Sequence, residues 1–237
     1  YLPKAAAGEM IFSYALTEPK RGSDAKHIET TATLSDDGQY YVLNGSKAYI
    51  TNANYAQAMT VFAQMDPQRP GFMGAFIVET GWEGVKIGKD IPKMGLKASS
   101  TAAVHFKDVR VPKENILGEP GDGFKIAMTI LNYGRLALGA ASVGILNQAV
   151  EDMFKRSKNR VQFGQPIADF QLIQAMLADS KTEAYAAECM VLDAARRRDA
   201  GELHAGGDRA VVSRGREDSR GQGRRAEHGS QLHRPRE

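Results

Sequence analysis

Tyr-Ala-Leu-Thr-Glu-Pro-Lys-Arg-Gly-Ser-Asp, residues 14–24, is the stretch around which this chain is organised, and its counterpart is Asn-Gly-Ser-Lys-Ala-Tyr-Ile-Thr-Asn, residues 44–52. Both stretches combine small hydroxyl side chains with glycine, whose missing Cβ lets backbone N–H groups approach a ligand closely. The second stretch also carries one flat aromatic ring, Tyr49. Together they predict a surface suited to a flat, polar cofactor that bears phosphate groups.

The composition predicts a globular protein. The chain has 237 residues, of which 42% are hydrophobic, enough for a sizeable core. We find no apolar run approaching the roughly 18 residues of a membrane helix, and residues 1–4 lack the pattern of a signal peptide. A single cysteine, Cys189, excludes an intramolecular disulfide and fits a reducing compartment.

The net charge of +3 lies at the C-terminal end, because residues 1–195 carry a net charge of −1 and residues 196–237 carry +4. Beyond about Ala200 arginine, glycine, histidine and serine dominate, which predicts a disordered tail. The abrupt loss of helical periodicity there also suits an out-of-frame translation or a misplaced gene end. An arginine-rich arm that binds nucleic acid is the weaker alternative.

Residues 11–118 read as short strands separated by turns, which favours a small antiparallel barrel or sandwich. Asp37-Gly38, Asn44-Gly45 and Pro70-Gly71 are the turn signals. The predicted strands lie at 40–43, 60–63, 75–78, 103–106 and 109–111. Residues 1–10 resemble the end of a preceding helical domain, with Gly8 as its stop.

Helical periodicity begins after the loop at 118–123. Apolar residues recur every three or four positions from Phe124 to about Lys158, and again from about Ala168 to Arg198. Close helix packing or a ligand would explain the glycines inside the first helix, which are Gly134, Gly139 and Gly144. We therefore predict an α+β protein with a middle β domain at 11–118, part of an α-helical bundle domain at 119–199 and a tail at 200–237.

Residues 14–24 and 44–52 resemble the flavin-contacting segments of the acyl-CoA dehydrogenase family, and residues 43–47 and 130–135 are similar to its long-chain and very-long-chain branch. The resemblance implies FAD held between a β-barrel domain and helices, and α,β-desaturation of fatty acyl-CoA in β-oxidation. It also implies electron-transferring flavoprotein as acceptor, a homodimer or homotetramer in the parent protein, and a bacterial cytoplasm or mitochondrial matrix.

The resemblance assigns cofactor contacts to three segments. Thr17 and Thr51 would donate hydrogen bonds to the isoalloxazine edge, and Tyr49 would lie against the ring where most members carry tryptophan. The third segment, residues 160–171, would reach the adenine half of the partner subunit's FAD. The implied cofactor residues are Tyr14, Leu16, Thr17, Ser23, Tyr49, Ile50, Thr51, Arg160, Gln162, Phe163 and Gln171. Ordinary turn and strand residues, or a plain helix–helix turn, are the alternatives.

The implied contacts with the CoA substrate are Ser23, Ser99, Asn132 and Arg135. Arg135 could meet an adenine edge or a phosphate with fixed geometry, whereas a surface arginine paired with a carboxylate is the plain alternative. Ser99 could equally be a generic loop serine. Metal and nucleophile chemistry have little support, because the five histidines are scattered and Cys189 has no partner of metal-ligand type.

The family's catalytic base is a glutamate, and no credible one is found here. In a minority of members it precedes the arginine matched by Arg135, where this chain has Gly134. In most members it lies late in the chain, which here falls in or beyond the tail. We read Glu18 as structural. We therefore expect a fragment that is catalytically impaired because it lacks this base and an N-terminal helical domain, with a non-catalytic flavin- or acyl-CoA-binding module, or an oxidase, as alternatives.

Overall fold

The structure, a computed structural model, describes residues 1–202. The chain divides into two compact units, with the boundary after Thr129. The first contains helix α1 and a seven-stranded sheet, and the second is helical with a short hairpin. This order confirms the predicted α+β class, in which a β region precedes helices. From residue 203 onward, the tail that we predicted to be disordered lies outside the described residues.

The first unit contains one short helix and seven strands. Their bounds are α1 Leu2–Ala6, β1 Phe12–Ala15, β2 Thr31–Leu34, β3 Tyr40–Thr51, β4 Ala58–Gln64, β5 Met73–Glu79, β6 Val85–Ile87 and β7 Thr101–Pro112. The strands pair in the order β1-β4-β2-β3-β7-β6, and β5 pairs with β4. The sheet is mixed rather than purely antiparallel as predicted, because β1 runs parallel to β4.

The long strands β3 and β7 are antiparallel partners and form the centre of the sheet. The separate strands predicted at 103–106 and 109–111 are therefore one strand, β7, which continues through an irregularity at residues 107–108. Side chains from β3, β4, β5 and β7 fill the core beneath the sheet. Its fully buried members include Leu43, Val61, Phe76, Val104 and Val109.

The turn prediction was right at two glycines and wrong at a third. Gly38 and Gly71 adopt positive φ angles of 67° and 86° between strands. Gly45, however, lies inside β3, with a φ of 147°. A Cβ on Gly45 would lie 2.6 Å from the Cα of Thr30, so glycine is required there by a close approach of two backbone segments.

Asn44 also has a role other than turn formation. Its Nδ2 donates to the Asp108 carboxylate at 3.1 Å, and its Oδ1 accepts from the Asp108 N–H at 2.9 Å. Asp108 has a φ of 51° and lies where the pairing of β3 with β7 shifts by one residue. Asn44 therefore stabilises a β-bulge, in which β7 has one residue more than β3.

The second unit contains α2 Gly123–Asn159, most of which lies beyond the boundary, the strands β8 Val161–Gln162 and β9 Gln165–Pro166, and α3 Gln171–Asp199. Both predicted helices are confirmed, with ends within three residues of those expected. Of Gly134, Gly139 and Gly144 inside α2, close packing explains only Gly139. A Cβ added there would lie 3.3 Å from Val191 Cγ2 on α3. Gly134 and Gly144 have open space around their Cβ positions.

Within residues 1–202, α2 is the one helix long and apolar enough to cross a membrane, judged by length and composition alone. Its most apolar 18-residue window has a mean hydropathy of 1.2, so our expectation that no such run exists was wrong. A single helix of this kind is weak evidence for a membrane span, because the core helix of a soluble bundle has the same composition.

Candidate cofactor site

The two stretches singled out in the sequence lie side by side in the first unit. The Ala48 N–H donates to the Thr17 carbonyl at 2.9 Å, and the Ser13 hydroxyl donates to the Thr51 carbonyl at 2.9 Å. The structure thus brings together five of the predicted cofactor residues. These are Leu16, Thr17, Tyr49, Ile50 and Thr51.

Tyr49 is presented outward by a bulge in β3. The pairing with β7 shifts between Lys47 and Ile50, so β3 has one residue more than its partner there. Regular alternation would put residues three apart on opposite faces, yet Lys47 and Ile50 are both buried. Tyr49 takes up the extra length with a φ of 62°, and its side chain is 63% exposed. A bulky residue at positive φ is strained, and such strain is concentrated at functional sites.

Leu16 and Tyr14 contribute differently from the exposed ring. The side chains of Leu16 and Ile50 are buried, so only main-chain groups of these two residues could reach a ligand. Tyr14 is partly buried, its ring packs 5.0 Å from that of Phe62, and its hydroxyl donates to the Ala127 carbonyl at 3.3 Å. Burial raises the pKa of Tyr14, so the phenol stays protonated near neutral pH.

A buried ion pair lies beneath the two stretches. Lys47 is fully buried, and its Nζ donates to Glu18 Oε1 at 2.8 Å and to the Leu16 carbonyl at 3.1 Å. Glu18 also accepts the backbone N–H groups of Glu29 at 2.5 Å and Thr30 at 2.9 Å. Our reading of Glu18 as structural therefore agrees with its geometry.

The pKa values of the pair reflect burial and mutual attraction. Burial lowers the pKa of Lys47 to about 8, against the opposing attraction of Glu18. Burial would raise the pKa of Glu18, but the charge and hydrogen bond of Lys47, with the N–H donors, outweigh it and hold that pKa below its usual value. The carboxylate is therefore the form that the folded protein stabilises.

The sequence analysis did not assign a role to Lys47, although a signal was present. Tyr41, Leu43, Gly45 and Lys47 are alternate residues of one strand, so the lysine falls on the same face as the apolar residues. A lysine on a core face requires a buried acidic partner. Glu18, the only carboxylate between Tyr14 and Ser23, was the available candidate.

Glu18→Gln is expected to lower the free energy of unfolding by about 2 kcal/mol at neutral pH, because it removes the negative charge that pairs with Lys47. Glutamine keeps the shape of a protonated glutamate, so little else changes. The native pKa of Glu18 is lowered, so its contribution is present above the unfolded value of 4.5 and is lost as pH falls through the native pKa. Urea unfolding of both proteins across acidic pH measures this difference, which should shrink below about pH 4.5. Glu151→Gln is the control, because Glu151 is exposed and its pair with Lys155 is worth little. A difference that stays constant with pH would contradict the assignment.

The loop at residues 88–100, which carries Ser99, is tied to the end of β3. Asn52 N–H donates to the Ser100 carbonyl at 2.9 Å, while Ser100 and Asn54 donate to Asp90 at 2.6 and 2.7 Å. Hydrogen bonds from these two side chains lower the pKa of Asp90. Ser99 itself is partly buried, and its carbonyl accepts a hydrogen bond from Lys93. Ser23 is exposed in the turn that follows Glu18.

The remaining predicted residues belong to the second unit. Arg135 is exposed and donates to Asn132 Oδ1 one helical turn away on α2. Phe163 lies at the tip of the β8–β9 hairpin with a φ of 52° and is 95% exposed. The hairpin also carries exposed Gln162, and exposed Arg160 precedes it. Gln171, also exposed, begins α3, so the four predicted residues of this segment are local neighbours.

The residue types of the first unit fit a flavin. Tyr49 is exposed at a strained φ in the same strand as Thr51, and the preceding residue, Ala48, is hydrogen-bonded through its N–H to the Thr17 carbonyl. Aromatic contact with the ring and hydrogen bonds to its polar edge are how proteins hold and tune flavins. Within residues 1–202, no cluster of three or more His, Cys, Asp or Glu side chains could hold a metal ion.

Comparison with known proteins finds two adjoining domains of one family. The family model of the acyl-CoA dehydrogenase middle domain matches residues 13–109, and that of the acyl-CoA dehydrogenase C-terminal domain matches residues 121–213. The very long-chain specific acyl-CoA dehydrogenase, mitochondrial, of Homo sapiens is 46% identical over 196 residues, covering 80% of this chain and 30% of that protein.

Solved structures agree with the sequence relatives. Butyryl-CoA dehydrogenase from Megasphaera elsdenii superposes with a TM-score of 0.81 at 43% identity, covering 86% of this chain and 54% of that one. Acyl-CoA dehydrogenase from Bacillus anthracis, complexed with FAD, gives a TM-score of 0.74 at 48% identity, covering 81% of this chain and 32% of that one. The chain thus spans between 30% and 54% of the length of these relatives. The resemblance inferred from residues 14–24 and 44–52 is confirmed, and the chain belongs to the acyl-CoA dehydrogenase family.

Proposed function

We propose that this chain supplies the FAD-binding and part of the acyl-CoA-binding surface of an acyl-CoA dehydrogenase that desaturates fatty acyl-CoA between its α and β carbons. The observation that carries the proposal is the joining of residues 13–17 to residues 47–51, with strained, exposed Tyr49 beside them. Membership of the family and the FAD complex of the Bacillus anthracis relative support it.

The proposed roles are those that the family resemblance implies, and the chemistry of the residues is compatible with them. Thr17 and Thr51 donate hydrogen bonds to the polar edge of the isoalloxazine ring, which Tyr49 contacts, and Tyr14, Leu16, Ser23 and Ile50 complete this surface. The segment with Arg160, Gln162, Phe163 and Gln171 binds the adenine half across the interface of a homodimer or homotetramer. Ser23, Ser99, Asn132 and Arg135 hold the CoA portion, where an arginine suits phosphate.

FAD, when bound, supplies the hydride acceptor for the β-hydrogen, while a base takes the α-proton. Electron-transferring flavoprotein is the proposed acceptor of the electrons, in a bacterial cytoplasm or mitochondrial matrix. Gly134 has no side chain that could act as the base beside Arg135. Because a positioned base contributes about 10² to 10⁴ in rate, we propose that the chain binds FAD and acyl-CoA but turns over slowly.

A test uses the purified chain with excess FAD, butyryl-CoA or palmitoyl-CoA and an electron-accepting dye. We expect a yellow protein whose flavin spectrum changes with acyl-CoA and whose turnover is at least about 10² below that of a full-length dehydrogenase measured alongside. Turnover equal to that reference would contradict the slow-turnover proposal. A protein that remains colourless with excess FAD would contradict the function itself.

Tyr49→Ala is expected to weaken FAD binding by about 1–3 kcal/mol, because ring stacking on a flat heterocycle is lost. The free energy of unfolding should change by less than about 0.5 kcal/mol, since the ring is 63% exposed. Fluorescence titration with FAD measures the first quantity and urea unfolding the second. Tyr55→Ala is the matched control, because Tyr55 is similarly exposed at 55% and is not among the proposed cofactor residues. Equal affinities for Tyr49→Ala and the unaltered chain would remove Tyr49 from the site.

A further inference from the structure

The Glu18–Lys47 pair connects the two segments that carry the proposed flavin contacts. Lys47 reaches from β3 to the Leu16 carbonyl and to the Glu18 carboxylate, which are the neighbours of Thr17 on either side. Lys47 itself lies two residues before Tyr49. We propose that this buried pair is a positioning pair, which sets the Thr17 hydroxyl relative to the Tyr49 ring and thereby tunes flavin affinity; this inference rests on the proposed function.

The position of the segment around Thr17 shows why such a link is needed. The ladder of β1 with β4 ends at Ala15, so residues 16–18 lie beyond it. β3, by contrast, receives its register from long pairing with β7. The pair therefore joins a segment outside the regular ladder to a strand whose position is already determined.

The carboxylate also reaches a third segment. Glu18 Oε1 accepts from Lys47 and from the Thr30 N–H, and Oε2 accepts from the Glu29 N–H. Thr30 is the residue against which Gly45 of β3 packs. One side chain thus holds residues 16–18, 29–30 and 47 in a single arrangement. Directional bonds of this kind define a geometry that apolar packing of equal volume would leave loose.

The energetics also favour a positioning role. A buried ion pair is often no more stabilising than well-packed apolar residues of the same volume, because both charges must leave water. Here burial lowers the pKa of Lys47 to about 8 even with Glu18 beside it. A pair whose contribution to stability is offset in this way can still define the relative position of the groups that it joins.

The test compares the unaltered chain, Glu18→Gln with Lys47→Met in one protein, and Val111→Ala. The double variant keeps the volume and removes both charges together, so no charge is left buried alone. Val111 is a fully buried core residue of β7 opposite Tyr41, and its truncation should cost about 2 kcal/mol without touching the linked segments. All three are studied at a temperature at which circular dichroism shows each to be folded.

Two quantities are measured. The first is the dissociation constant for FAD, which should rise about tenfold or more in the double variant, by analogy with residues that orient metal ligands. In Val111→Ala it should rise less than about threefold. The second is amide hydrogen exchange without cofactor. Protection of the Ala48 and Thr30 N–H groups should fall by about tenfold relative to amides of the β4–β5 pair in the double variant.

The outcomes are decisive in both directions. Equal FAD affinities in the two variants, or a loss of protection spread evenly over the sheet, would show a pair that only stabilises the fold and would overturn the proposal. If the unaltered chain does not bind FAD, the proposed function fails, whereas the exchange data still decide whether the pair positions the two segments. Selective loss of protection with weaker FAD binding is the result that we expect.

Discussion

Replacing Lys47 alone by methionine is expected to lower the free energy of unfolding by about 3–5 kcal/mol, the range for breaking one side of a buried ion pair. Methionine matches the length of the lysine stem but leaves the Glu18 carboxylate buried without its cation. The Leu16 carbonyl loses its donor at the same time. Since domains are stable by only about 5–15 kcal/mol, this single change should remove a large share of the stability.

Urea unfolding at neutral pH measures the effect, with Lys155→Met as the matched control. Lys155 pairs with Glu151 at 3.7 Å on the surface of α2, so its loss should cost less than about 0.5 kcal/mol. Adding Glu18→Gln to Lys47→Met should recover part of the loss, because the uncompensated charge is removed. A loss below about 1 kcal/mol for Lys47→Met would show that the buried pair is not formed in solution.

Gly45→Ala is expected to cost about 3 kcal/mol, through steric conflict and backbone strain together. The new Cβ would lie 2.6 Å from the Thr30 Cα, and a backbone atom cannot move aside as the end of a long side chain can. The φ of 147° is also one that residues with a side chain rarely adopt. Relief of the clash requires β3 to move away from Thr30, which also donates its N–H to Glu18.

Thermal and urea unfolding measure this loss, and Gly81→Ala is its control. A Cβ at Gly81 meets nothing within 4 Å, so that variant should stay within about 0.5 kcal/mol of the unaltered chain. Because Gly45→Ala displaces the strand that carries Tyr49, it should weaken FAD binding as well as stability. An unchanged melting temperature for Gly45→Ala would contradict the close approach of β3 to Thr30.

The helices and the confirmed turns were predictable because their signals are local. α2 follows an apolar repeat that closely matches its observed length, and Gly38 and Gly71 have turn conformations that the neighbouring residues already favour. The turn predicted at Asn44-Gly45 was wrong because the same dipeptide occurs both in tight turns and where two backbone segments approach closely. Distinguishing these needs the position of Thr30, which is distant in sequence. Three strands of the first unit were missed, β1, β2 and β6, which are only three or four residues long. The two-residue strands of the β8–β9 hairpin were missed as well.

The amino-acid order alone was sufficient for the family and the α+β class, because motifs and hydrophobic periodicity depend on residue types at short spacing. The flavin contacts that the family resemblance implies stay a prediction. Tertiary structure decided how the contacts are arranged. The burial of Lys47 against Glu18 and the outward turn of Tyr49 both arise where β3 meets segments remote in sequence. A charge becomes buried, and a strand gains a bulge, only when distant segments pack together. Alternation along β3 places Lys47 on the core face, but the packing that pairs it with Glu18 is set by the tertiary structure.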